Sequence, residues 1–157
     1  MLTMTIKRAR VWSLIIGLGV VIFNSGHAMA DEIYTGYFSD EAVSGYDTVS
    51  FFTEIKSIKG KKEFKVEYLG TEWFFSSAAN KALFLADPEK YRPQYGGYCA
   101  WAAAVNNAKA PGSVDYWKIV DGKLYLNYSR SVQEKWLKNI EGFIVDADKN
   151  WSTLKDQ

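Results

Sequence analysis

Between Trp117 and Tyr128 the chain reads WKIVDGKLYLNY, and no other stretch limits the fold as tightly. Apolar and polar residues alternate on both sides of Asp121-Gly122, and a strand shows one face at every second residue. Asp-Gly suits the centre of a two-residue hairpin turn, where both φ angles are positive. The segment predicts two antiparallel strands. A second pair precedes it in EFKVEYLGTEWFFSS (63–77). There Phe64, Val66 and Tyr68 share one face, Lys65 and Glu67 the other, with a turn at Gly70 and a return strand through Trp73 to Phe75.

Helical signals separate and follow these hairpins. Ser76 or Ser77 caps AANKALFLA, in which Ala79, Leu83 and Ala86 fall on one face. Asp87-Pro88 ends that helix and starts another turn. A short helix is expected from Cys99 to about Ala108. Ser131-Val-Gln-Glu134 has the form of a capping box for a helix carrying Val132, Trp136 and Ile140. Gly142 is read as its break, and Phe143, Ala147 and Trp151 as markers of a final helix. Upstream, the apolar end of EAVSGYDTVSFF (41–52) reads as an early buried strand, and TEIKSIKGKK (53–62) as an exposed loop. No internal repeat is evident. The fold class is α+β: a small single domain of two β-hairpins and an early strand, packed with several short helices.

The front of the chain reads as an export signal. Lys7, Arg8 and Arg10 precede the apolar run Val11 to Phe23, which is short for a bilayer span, and Ala28-Met29-Ala30 has the small-x-small form of a signal-peptidase site. Cleavage is expected after Ala30, leaving no stable membrane anchor. The expected parts are a signal peptide over 1–30, a lead-in over 31–43, a domain over 44–151 and a tail over 152–157. Cleavage would remove His27, the only histidine, and Met1, Met4 and Met29, the only methionines. Mechanisms and metal sites built on imidazole are then excluded. Sixteen basic residues would face eighteen acids, a balance that argues against nucleic-acid binding. The one cysteine, Cys99, forms no internal disulfide.

Several strings carry a resemblance to a known family: GYDTVSFF, YLGTEWFFSSAANKALFLADPEKY, YGGYCA, WKIVDGKLYLNY and SVQEKWL. Together, from about Ser44 to Trp151, they resemble the exported bacterial proteins that carry a YHS domain. The resemblance implies a small α+β fold in the periplasm of a Gram-negative bacterium. Metal-linked members of the wider YHS and TRASH group carry cysteines where this chain has Ser50, Ser76 and Asn80. Thiolates there suit soft metals, and two serines with an asparagine do not.

The remaining candidates are the aromatic residues around the cysteine. Tyr95, Tyr98, Cys99, Trp101, Trp117 and Tyr125 are the candidate ligand-binding residues, set against the plainer reading of rings packed in a core. Cys99 follows Gly96-Gly97 at a helix start, where unpaired N–H groups lower a thiol pKa; the competing reading is a small buried residue, and burial is favoured. One thiol alone is a weak metal candidate. Asp146 and Asp148, two apart on a helix, point in different directions and make a poor ligand pair. Asp87 and Glu89 read as capping charges, Gly96-Gly97 lacks the spacing of a phosphate loop, and Lys56, Lys59, Lys61 and Lys62 read as a solvated loop. The expectation is a non-catalytic periplasmic binding module with no cofactor, contacting an unidentified small ligand or periplasmic protein around Cys99. The alternative is a thiol-based redox or soft-metal stress protein acting through Cys99.

Overall fold

The structure, a computed structural model, describes residues 32–36 and 38–157. The expected signal peptide, with His27 and the cleavage point at Ala30, lies outside the described residues. In chain order the elements are β1 (Tyr46–Asp47), α1 (Ser50–Thr53), β2 (Ile58–Lys59), β3 (Lys61–Tyr68), β4 (Thr71–Phe75), α2 (Ala78–Ala86) and α3 (Pro88–Tyr91). These are followed by α4 (Ala100–Val105), β5 (Ser113–Val120), β6 (Lys123–Asn127), α5 (Arg130–Trp136) and α6 (Ile140–Leu154). The strands pair as three two-stranded antiparallel sheets, and the class is α+β. Both hairpins form about their expected turns. Leu69 and Gly70 have φ of 50° and 71°, Asp121 and Gly122 50° and 74°.

Local chemistry shifts several boundaries. The apolar run expected as an early strand is a strand only at Tyr46–Asp47; Asp47 Oδ1 then accepts from the backbone N–H of Val49 (2.9 Å) and Ser50 (3.3 Å), which turns the chain into α1. The lysine loop contributes β2, paired with β1. In α2 the buried face is Asn80 and Phe84; Ala79, Leu83 and Ala86 are exposed, because the helix sits on the hairpin through Phe84. Ser129, not Ser131, caps α5, its Oγ accepting from Val132 N–H at 3.4 Å, so Glu134 closes no capping box. Ile140 belongs to the next helix. Gly142 breaks nothing: it lies in the first turn of α6, donating its N–H to Asn139 Oδ1 (3.3 Å), and a Cβ there would meet Asn139 Nδ2 at 2.3 Å.

The structure also contains an internal repeat that the sequence conceals. With a shift of 52 residues, from 42 to 94, the 3-10 turn Ala42–Gly45 recurs as Gln94–Gly97. The same shift carries β3 onto β5, β4 onto β6, and the Ser77 cap of α2 onto the Ser129 cap of α5. The bulge between Lys61 and Lys65 maps onto that between Ser113 and Trp117. Asp87, which caps α3, maps onto Asn139, which caps α6. Ring pairs correspond too: Trp73–Phe84, centroids 5.0 Å apart, and Tyr125–Trp136 at 5.5 Å.

Each half anchors a core. One is built on Val49, Phe51, Trp73, Phe75 and Phe84, with Leu124 and Leu126 crossing into it from the second hairpin. The other gathers Tyr95, Ala100, Ala103, Tyr125 and Trp136 beneath Ala147 and Leu154 of α6. The lead-in is tied to the second half, with Tyr34 N–H donating to Gly96 O (2.9 Å) and Ile33 buried in the first core. Among the described residues no helix is long and apolar enough to cross a membrane.

Candidate functional site

Asp47 is a fully buried carboxylate whose two oxygens accept five hydrogen bonds among the described residues. Beyond the two N–H groups of α1, its Oδ2 accepts from Ser76 N–H (2.8 Å), the Ser76 hydroxyl (2.6 Å) and Asn80 Nδ2 (2.8 Å). Ser50 is fully buried beside it, its hydroxyl placed between the carbonyls of Asp47 and Lys56 at 2.7 Å each while accepting Ile58 N–H at 3.3 Å. Asn80 Nδ2 also lies 3.3 Å from Glu54 Oε1. Ser50 thus meets Ser76 and Asn80, distant from it in sequence, around one carboxylate. Such a closed network fastens the first strand, the hairpin end and the start of α2 together.

In the second half the same shift puts Cys99 in the place of Asp47. Cys99 is 1 % exposed. Its sulfur meets the backbone N–H groups of Trp101, Ala102 and Tyr128, the counterparts of Val49, Ser50 and Ser76. It approaches Asn127 Oδ1 at 3.9 Å. Burial pushes the thiol pKa up, and those N–H groups bring it only part of the way back. The lowering expected at a helix start is therefore outweighed by desolvation. Tyr128 and Val132 stand where the first half has Ser76 and Asn80. They leave a hollow of about 130 Å³ over Cys99, Trp101 and Ala102. We expect Cys99 to react with a bulky aromatic disulfide roughly a hundredfold or more slowly in the native protein than in the urea-unfolded chain. Comparable rates in both states would show an accessible thiolate.

The six sequence-derived candidates fall in separate places. Cys99 and Trp101 line the hollow. Trp117 lies against Phe51 at the edge of the first core, centroids 5.0 Å apart. Tyr125 is buried between Tyr95 (5.9 Å) and Trp136 (5.5 Å). Tyr98 is packed against Tyr34 and Trp151. Tyr95 alone lines the larger opening, a cleft of about 260 Å³ shared with Arg92, Pro93, Gln94, Asp148 and Trp151. Its hydroxyl donates to Asp148 Oδ1 at 2.8 Å. Burial and that bond push the Tyr95 pKa far up, and burial with the Asp148 and Asp121 charges pushes Tyr125 up to about 12.

Arg92, Asp148 and Trp151 were not singled out as binding residues in the sequence, although Asp148 and Trp151 sit three apart and so on one side of a helix. Arg92 is held by Glu89, through Nε (2.9 Å) and Nη2 (2.7 Å), and by Glu32 through Nη1 (3.4 Å).

With this geometry in hand, comparison with known proteins gives one match: the family model for the YHS domain covers residues 49–95. Residues 49–95 of the chain are similar to the YHS domain. No curated protein and no solved structure matches the chain. The matched YHS segment falls mainly in the first repeat and ends at Tyr95, where the second begins. The residues of the matched segment do not fit a soft metal. Ser50, Ser76 and Asn80 present hydroxyl and amide groups already hydrogen-bonded to Asp47. Among the described residues no three His, Cys, Asp or Glu side chains are grouped to hold a metal ion.

Proposed function

We propose that this protein is a non-catalytic binding module of the periplasm. In this reading it takes a small ligand through the face formed by residues 92–101 and α6. The observation that carries the reading is the cleft of about 260 Å³ at Tyr95, bounded by Trp151 and Asp148. Its size lies just below the usual range for small-molecule pockets, which suits a compact ligand. The position in the first half is plugged by Asp47 and its partners, while the second half keeps a hollow over the buried Cys99. Export rests on the leader sequence.

A thermal-shift screen of small metabolites tests the reading. A ligand at a hundredfold excess over its Kd contributes about 2.7 kcal/mol and moves Tm by roughly 5–10 °C. The shift should vanish in Trp151→Ala, which removes one wall of the cleft. A panel in which no compound moves Tm, or one whose hits act equally on Trp151→Ala, would count against it.

A further inference from the structure

The charges around the cleft select its ligand more narrowly than its size does. Of the six lining residues, Arg92 and Asp148 are charged. Arg92 is already spent, because Glu89 occupies Nε and Nη2 and Glu32 lies on Nη1. Asp148 makes no ion pair among the described residues, and the one bond it accepts from Tyr95 is neutral. Its charge is felt through the wall, since it helps to raise both Tyr95 and Tyr125. The aromatic surface beside it is Trp151, stacked edge-on to Tyr95 at 5.7 Å. The indole face already draws a cation: Lys109 Nζ lies 6.0 Å from a Trp151 ring centroid. A carboxylate without an ionic partner beside electron-rich rings stabilises a positive, weakly hydrated group far better than a neutral or negative one.

Resting on the cleft reading above, we infer that the ligand is a small organic cation. Its ammonium group pairs with Asp148 and its hydrocarbon part lies against Trp151 and Tyr95. Arg92, the one cation lining the cleft, is itself paired with Glu89 and Glu32, so it offsets little of the attraction between Asp148 and a cation.

Four probes that share a phenyl ring separate the contributions: phenethylammonium, phenethyl alcohol, hydrocinnamate and zwitterionic phenylalanine. Each is titrated into the full chain and followed by calorimetry and by the indole N–H resonance of Trp151. Phenethylammonium should bind about tenfold or more tightly than the other three, as an ion pair beside aromatic rings predicts. Asp148→Asn keeps an oxygen for the Tyr95 hydroxyl, so Tm should hold while that preference disappears. Equal binding of the alcohol, the carboxylate or the zwitterion, or a preference that survives Asp148→Asn, overturns the cation inference and leaves the cleft reading standing. If no probe moves the Trp151 resonance, both fall together.

Discussion

Asp47→Ala is expected to cost about 4 kcal/mol or more and to leave the protein largely unfolded near room temperature. Removing the carboxylate strips an acceptor from five donors at once: the N–H groups of Val49, Ser50 and Ser76, the Ser76 hydroxyl and Asn80 Nδ2. Each buried group left unpaired costs roughly 1–3 kcal/mol, and only the two side chains can turn elsewhere. A domain of this size has about 5–15 kcal/mol in total. Cys99→Ala, at the equivalent place in the second half, is the informative contrast. It removes a sulfur that is only a weak acceptor for its three N–H neighbours, and should cost only about 1–2 kcal/mol. Urea unfolding followed by tryptophan fluorescence compares the two. Equal losses would mean that the Asp47 network is not what holds the first half together.

Gly96→Ala is the second severe change, expected at about 3 kcal/mol or more. Gly96 has φ of +60°, and a Cβ built there would lie 1.6 Å from the carbonyl oxygen of Glu32. That oxygen belongs to backbone, so relief requires the lead-in to move. Movement breaks the Tyr34 N–H to Gly96 O bond and lifts Ile33, 3 % exposed, out of the core. Gly70→Ala isolates the backbone part, so the difference between the two variants gives the steric part. Gly70 has φ of +71° but nothing within 4 Å of its Cβ position, so only the left-handed backbone cost of roughly 1–2 kcal/mol applies. Denaturation midpoints and hydrogen exchange at residues 32–36 read both effects. Were Gly96→Ala no worse than Gly70→Ala, the docking of the lead-in would carry no stability.

Much of this fold can be read locally. Asp121-Gly122 and Leu69-Gly70 place both hairpins, and the Ser77 and Asp87 caps place α2 and α3, because each depends on backbone geometry within four residues. The errors arise where a distant partner decides. Phe84, not Leu83, faces inward because Trp73 and Phe75 of the hairpin stand beneath it, at 5.0 and 4.9 Å between ring centroids. Val49 and Phe51 read as a strand, yet Asp47 caps the turn that makes them helical. The repeat is hidden in the sequence because its halves share turns and caps but differ in side chains, as with Asp47 and Cys99 or Asn80 and Val132.

The sequence by itself determined the hairpins, the starts of α2, α3 and α4, the solitary thiol and the absence of thiolates at Ser50, Ser76 and Asn80, since these depend on residue identity and short-range backbone preference. Only the tertiary structure decided that those three residues close around Asp47, that Cys99 is sealed off, and that Arg92 is neutralised while Asp148 is not. Burial and charge pairing depend on groups brought together from distant parts of the chain, so no local pattern of residues encodes them.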